Sequence, residues 1–146
     1  MQRKRLPVFA IIAFAAASLA ACAQPMAQAA QEESAVTVKS IEGSELSSVT
    51  LTEQSAERLG IETARVERSP AGGMVVPYSA VLYDEQGGVW VFTNPEGLTF
   101  VRAEISVDGI DGDVARLSNG PPVGTAIATV GVAELFGAEM GVGDPE

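Results

Sequence analysis

The sequence predicts a mainly β protein, a small antiparallel β-barrel or β-roll with one short N-terminal helix, preceded by a signal peptide and a flexible tether. Apolar, β-branched and aromatic runs at 75–83 and 89–93 flank a polar, glycine-ended loop at 84–88, which is the pattern of a hairpin. From Val101 to Val107, apolar and polar residues alternate, as in a strand with one face in water. Glycine- and proline-rich turns then separate further short strands, spaced about eight to twelve residues apart.

The N-terminal segment has the features of an export signal. Arg3, Lys4 and Arg5 are followed by an apolar, alanine-rich stretch at 8–20, which is shorter than the about twenty residues of a membrane-spanning helix. Leu19-Ala20-Ala21 then precedes the only cysteine, Cys22. This end resembles the lipobox of bacterial lipoproteins, which implies that 1–21 is a lipoprotein signal peptide and that Cys22 carries a covalent lipid. The alternative is a plain signal peptide cut near Ala23 or Ala30.

The chain is strongly acidic. Removal of residues 1–21 leaves six basic and nineteen acidic side chains, a formal charge of −13. Such a chain repels nucleic acid and anionic headgroups, which argues against a nucleic-acid partner. Solubility is the simplest reason for the acidity.

The mature chain divides into a lipid-anchored flexible linker at 22–47, a β domain at 48–140 and a disordered tail at 141–146. Within the linker, 36–38 is left open as a short edge strand. In the β domain, Thr52 and Gly60 bound a short helix, since threonine suits the N-cap and glycine the C-terminal end. The other predicted elements are strands at 48–51, 61–67, 114–117 and 125–130, turns at 69–73 and 108–113, and a helical turn at 133–136.

Several motifs in the β domain occur in a characteristic order. They are Leu51-Thr52-Glu53-Gln54 through Leu59-Gly60-Ile61-Glu62-Thr63-Ala64-Arg65-Val66, Val76-Pro77-Tyr78-Ser79-Ala80-Val81, Val89-Trp90-Val91-Phe92, Phe100-Val101-Arg102-Ala103-Glu104-Ile105, Asp111-Gly112-Asp113-Val114-Ala115-Arg116-Leu117, Gly120-Pro121-Pro122-Val123-Gly124-Thr125 and Val130-Gly131-Val132-Ala133-Glu134-Leu135. In order and spacing over 48–140 they resemble the periplasmic adaptor subunits, or membrane fusion proteins, of resistance-nodulation-division (RND-type) efflux pumps. The similarity is to the heavy-metal type and to its membrane-proximal C-terminal β domains.

The chain also departs from that family. Full adaptors carry two lipoyl half-motifs and a long helical hairpin before the Val-Pro-x-x-Ala-Val motif, where this chain has only 69–74. The resemblance therefore implies a short form that keeps the pump-proximal β part. Such a form is expected to touch an inner-membrane transporter without completing a conduit.

The residue inventory narrows the possible chemistry. The chain has no histidine, which excludes Ser-His-Asp and Cys-His catalysis and histidine-based metal sites. Asp108, Asp111 and Asp113 lack the remaining ligands of a calcium loop, and a hairpin turn explains them. Three methionines are weighed as soft-metal ligands but lie far apart in the sequence: Met26, Met74 and Met140. We therefore expect no metal site, no catalytic residues and no cofactor other than the lipid.

One strand carries the candidate contact residues. Trp90 and Phe92 share a face of their strand and are expected to pack in the core. Phe100 falls on the polar side of the next strand with Arg102 and Glu104, so it is the aromatic that we expect to be exposed. An exposed aromatic beside arginine is typical of a contact surface. Phe100, Arg102 and Glu104 are thus the predicted partner-binding residues.

Two functions from different classes follow. The first is a periplasm-facing lipoprotein that acts as a non-catalytic, adaptor-like interaction module beside an inner-membrane RND-type efflux transporter. The second is a small envelope lipoprotein that binds a metal cation or a small ligand as a periplasmic chaperone. Ala23 after the cysteine favours outer-membrane sorting and the adaptor resemblance favours the inner membrane, so the anchoring membrane stays open.

Overall fold

The computed structural model describes residues 34–141, which form two antiparallel sheets and two α-helices. Cys22, Met26, the signal peptide and residues 142–146 lie outside this range. The elements run in chain order as β1 Val36–Ser40, β2 Ser47–Leu51, α1 Glu53–Leu59, β3 Glu62–Arg65, β4 Glu67–Arg68, β5 Met74–Pro77, a 3₁₀ turn Tyr78–Ala80, β6 Leu82–Tyr83, β7 Val89–Glu96, β8 Thr99–Glu104, β9 Ser106–Asp111, β10 Val114–Asn119, β11 Ala126–Val130 and α2 Val132–Glu139.

The first sheet has the strand order β1-β2-β8-β7-β11-β3, and β6 pairs with β7 as a short hairpin partner. The second sheet has the order β4-β5-β10-β9. The chain passes from one sheet to the other at Val66 and at Ile105, and both residues are buried at these corners. The predicted mainly β class is confirmed, but the two sheets do not close into a barrel, because β1 and β3 remain separate edges of the first sheet.

The helix α1 begins and ends as its sequence predicts. The Thr52 side chain accepts a hydrogen bond from the Ser55 N–H, at 3.2 Å, and caps the first turn. Gly60 ends the helix in the left-handed conformation, with φ of 62°, which a glycine adopts without a steric penalty. These two residues fix the chain on either side of the helix.

Several predicted elements have different bounds in the structure. The run at 75–83 is interrupted because Pro77, which has no N–H, leads into the 3₁₀ turn that separates β5 from β6. The run at 101–107 is divided at Ile105, where the chain leaves the first sheet. The turn predicted at 108–113 is confined to 112–113, because β9 continues to Asp111. The strand β1 lies at an edge of the first sheet, so the ordered β unit starts before residue 48, within the predicted linker.

The core consists of two hydrophobic clusters. One contains residues from both sheets, among them Val91 of β7 and Val76 of β5, and the other contains Phe92, Phe100 and Leu135 of α2. Val91 and Phe92 are neighbours on β7, and successive side chains of a strand point to opposite faces. The first sheet is therefore buried on both faces. Each large apolar side chain that is fully buried contributes about 1.5–3 kcal/mol.

The terminal helix α2 covers the second face of the first sheet. The predicted helical turn at 133–136 is a two-turn helix at 132–139, and its buried residues include Val132 and Leu135. In the part of the chain that the structure describes, neither helix has the length and hydrophobicity needed to cross a membrane.

Candidate functional site

Arg102 occupies a buried position in the middle of the first sheet. It lies on β8 opposite Phe92 of β7, and its side chain is only 8% exposed. Its Nε lies 2.6 Å from Oε2 of Glu139, the last residue of α2, whose side chain is 1% exposed. The other carboxylate oxygen of Glu139 accepts a hydrogen bond from the Ser47 N–H, at 3.2 Å. The ion pair therefore joins the end of α2 to strands β8 and β2.

Two aromatic rings flank the guanidinium of Arg102. Its central carbon lies 4.7 Å from the centroid of the Trp90 ring and 5.2 Å from that of Phe136. Both distances fall within the range of about 6 Å in which a cation is attracted by an aromatic face. Trp90 comes from β7, and Phe136 lies one turn before Glu139 in α2, so α2 supplies both a ring and the carboxylate. The arginine is thus held by an ion pair and by two aromatic contacts.

Asp84 orients the Trp90 ring. Its Oδ2 accepts a hydrogen bond from the indole Nε1–H of Trp90 at 2.7 Å, and its Oδ1 accepts from the backbone N–H groups of Gly88 and Gln86 at 2.6 and 3.0 Å. The hydrogen bond from Trp90, followed by those from the backbone and by the nearby charge of Arg102, lowers the pKa of Asp84 below its ordinary value, and desolvation opposes them. Asp84 is therefore ionised at neutral pH and fixed by the loop of the predicted hairpin.

These side chains surround an open cavity of about 340 Å³. Its lining combines one guanidinium, two carboxylates, one amide and four apolar or aromatic side chains: Glu45, Leu46, Asp84, Gln86, Trp90, Arg102, Phe136 and Met140. Hydrogen-bond donors, fixed charge and flat apolar surface are the means by which proteins bind ligands and partners. The arrangement is therefore suited to binding.

The structure separates the three residues predicted to contact a partner. Phe100 is 1% exposed and packs in the cluster under α2, so the prediction that it is the exposed aromatic is wrong. Arg102 is buried as well but lines the cavity, and Glu104 is exposed at the end of β8. The alternation placed Phe100, Arg102 and Glu104 on one face of the sheet, but α2 covers the first two of these positions.

Three important residues were missed from the sequence, namely Asp84, Phe136 and Glu139, and Met140 was weighed only as a soft-metal ligand. For Glu139 a signal was present. Val132, Leu135, Phe136 and Glu139 recur at the spacing of one helical face, so a carboxylate on that face needs a buried partner. For Asp84 the signal was its place at the start of a glycine-ended loop, where aspartate accepts backbone hydrogen bonds.

The groups considered as metal ligands are dispersed. Asp108 and Asp111 lie on β9, and Asp111 is 3.7 Å from the exposed guanidinium of Arg116. Met74 starts β5 and packs against the first core cluster, whereas Met140 lies at the rim of the cavity. Within residues 34–141, no three or more histidine, cysteine, aspartate or glutamate side chains are grouped so that they could hold a metal ion.

Comparisons of the chain with protein-family models, with curated proteins and with solved structures find no match.

Proposed function

We propose that this protein is a lipid-anchored, non-catalytic interaction module that faces the periplasm and associates with an RND-type efflux transporter. The cavity beside Arg102 is the observation that carries the binding role. Tryptophan and arginine are among the residue types that most often dominate the energy of protein interfaces. Here both are held in place by neighbouring groups, so little side-chain freedom is lost when a partner binds.

The choice of partner rests on the resemblance to adaptor subunits. Most of the segments that carry it are adjoining parts of one β unit: 89–92 and 100–105 lie on the paired strands β7 and β8, and 111–117 lies mainly on β10. The segment 76–81 connects β5 of the second sheet with β6 of the first. We expect a module of this kind to contact a transporter through its β unit alone, since 69–74 stands where a full adaptor has its helical hairpin.

The test is a crosslinked pull-down from membranes, with the native lipidated protein carrying a C-terminal tag and mass spectrometry of the recovered proteins. We expect a large inner-membrane transporter, and we expect its recovery to fall with Trp90→Ala. Tyr83→Ala is the matched control, because Tyr83 is an exposed aromatic on β6 outside the cavity. Far-UV circular dichroism of both variants separates loss of contact from loss of fold.

Two results would contradict the proposal. Recovery of no transporter above a Cys22→Ser control would refute the association itself. Equal recovery with Trp90→Ala and with Tyr83→Ala would show that the cavity is not the contact site.

The cavity also favours a second candidate, a small envelope lipoprotein that binds a ligand as a periplasmic chaperone. Its volume of about 340 Å³ lies at the lower end of the range of small-molecule sites, about 300–1,000 Å³. This function predicts heat and a thermal shift on titration with the ligand or metal cation, and no transporter in the pull-down. A titration series with neither heat nor a thermal shift would refute this second function.

A further inference from the structure

Within residues 34–141, the guanidinium of Arg102 has N–H groups that donate no hydrogen bond. Its Nε lies 2.6 Å from Oε2 of Glu139, but neither of these two atoms makes a hydrogen bond, so the contact is an ion pair only. None of the side-chain hydrogen bonds within residues 34–141 is donated by Nη1 or Nη2 of Arg102. Arg102 also lines the cavity. A buried guanidinium with unused N–H groups is stabilised by an oxygen acceptor within hydrogen-bond distance. The cavity thus offers hydrogen-bond donors to a ligand oxygen.

The charge around the cavity determines which kind of ligand oxygen can bind beside Arg102. Glu139 neutralises Arg102, and Glu45 and Asp84 add two further negative charges at the cavity, so the site has a formal charge of about −2 by the ordinary charge states of these groups. A free carboxylate or phosphate at Arg102 would meet net repulsion. A neutral carbonyl oxygen would not, and a cationic group beside it would be attracted.

Glu45 is the carboxylate that is available to such a cation. Asp84 already accepts three hydrogen bonds, which use most of the about four acceptor positions of a carboxylate. Glu45 is exposed in the loop between β1 and β2 and lines the cavity. The apolar walls supplied by Leu46, Phe136 and Met140 suit the aliphatic stem that links a lysine or arginine charge to its backbone.

We infer that the cavity binds an extended basic segment of a partner protein, with a lysine or arginine charge at Glu45 and Asp84 and a backbone carbonyl at the free donors of Arg102. A peptide carries both groups within a few bonds, whereas a simple cation carries only one of them. This inference rests on the proposed function, since it names the partner chemistry for the same site.

The test uses Trp90, the only tryptophan of the chain, as a fluorescent probe inside the cavity. The full-length chain with Cys22→Ser is titrated with the acetylated and amidated hexapeptide Ser-Leu-Lys-Leu-Lys-Ser. Two matched peptides carry glutamate or glutamine in place of lysine, and n-butylamine serves as a cation without a backbone. We expect a saturable change in Trp90 emission with the lysine peptide, with weaker binding at higher salt because exposed charges are screened.

The variants isolate the role of charge at the rim. Glu45→Gln is expected to raise the Kd of the lysine peptide by about two- to fivefold, the range of a single exposed ion pair. Glu42→Gln is the control, because Glu42 is exposed in the same loop but does not line the cavity; its Kd should equal that of the parent chain.

Each remaining outcome overturns the inference. Tighter binding of the glutamate peptide would make the ligand an oxyanion at Arg102, and equal binding of n-butylamine would make it a bare cation. No saturable change with any probe would show that the cavity does not take a peptide. If the pull-down recovers a transporter and the titration gives any of these results, only the inference about the peptide is refuted. If the lysine peptide binds but no transporter is recovered, only the choice of partner is refuted.

Discussion

Glu139→Leu is expected to lower the free energy of unfolding by about 3 kcal/mol. Removal of one partner of a buried ion pair costs about 3–5 kcal/mol, because the other charge stays in the interior without compensation. The carboxylate is 1% exposed and lies 2.6 Å from Arg102 Nε, and the Ser47 N–H would lose its acceptor as well. The lower end of the range applies because Arg102 keeps its two aromatic contacts and its access to the cavity.

The double variant Arg102→Met with Glu139→Leu separates charge from packing. Replacement of a whole buried pair by apolar side chains of similar size is often neutral or stabilising, so we expect it within about 1 kcal/mol of the parent. Urea unfolding followed by far-UV circular dichroism and by Trp90 emission gives both values. A Glu139→Leu chain that unfolds within about 0.5 kcal/mol of the parent, the usual size of a surface change, would refute the buried pair.

Two further predictions concern the loop of Asp84 and the glycine before α2. Hydrogen bonds lower the folded-state pKa of Asp84 below its ordinary 3.8. Its contribution to stability is therefore fully present above about pH 4 and is lost as the pH falls through the folded pKa. Trp90 emission should stay constant from pH 7 to about 4 and change below, and Asp84→Asn should abolish that change. In urea unfolding, Gly131→Ala should lower the free energy of unfolding more than Gly60→Ala. Both glycines have positive φ, so backbone strain of about 1–2 kcal/mol is common to the two variants. An added Cβ would collide with Ile61 only at Gly131, where overpacking adds about 1–3 kcal/mol. Equal losses would mean that Ile61 moves aside freely.

Local patterns predicted the elements whose signals lie within a few residues. The hairpin around 84–88 and the caps of α1 follow from the conformational preferences of aspartate, threonine and glycine, and the structure has both. The corner at Ile105 was not predictable from alternation, because the period of two continues through it from Val101 to Val107. Only the pairing of β9 with β10, in the second sheet, shows that the chain has changed sheets.

The same limitation decided the prediction for Phe100 and Arg102. Alternation states which side chains of one strand share a face, and it correctly grouped Trp90 with Phe92 and Phe100 with Arg102. The prediction that the first pair lies in the core and the second faces water is wrong, because the register of β7 and β8 sets Phe92 opposite Arg102 and so puts both pairs on one face. On that face Phe92 is buried, whereas Trp90 is half-buried and lines the cavity. Whether that face meets water depends on an element elsewhere in the chain, and α2 covers it. The buried glutamate of that helix was the available clue, since a carboxylate in the interior requires a cationic partner.

The contacts that stabilise Arg102 also prepare it for binding. Glu139, Trp90 and Phe136 hold the guanidinium in one orientation, so a ligand would not have to restrict that side chain, at about 0.5–1.5 kcal/mol for a side chain of this kind. Glu139 fixes the arginine from behind the cavity and is not part of its lining. A neutralised arginine between aromatic rings attracts a neutral acceptor without drawing in free anions. In the recognition that we propose, the buried charge of Arg102 serves as a hydrogen-bond donor that selects neutral acceptors. That recognition therefore depends on α2, which supplies Glu139 and Phe136 to hold the arginine.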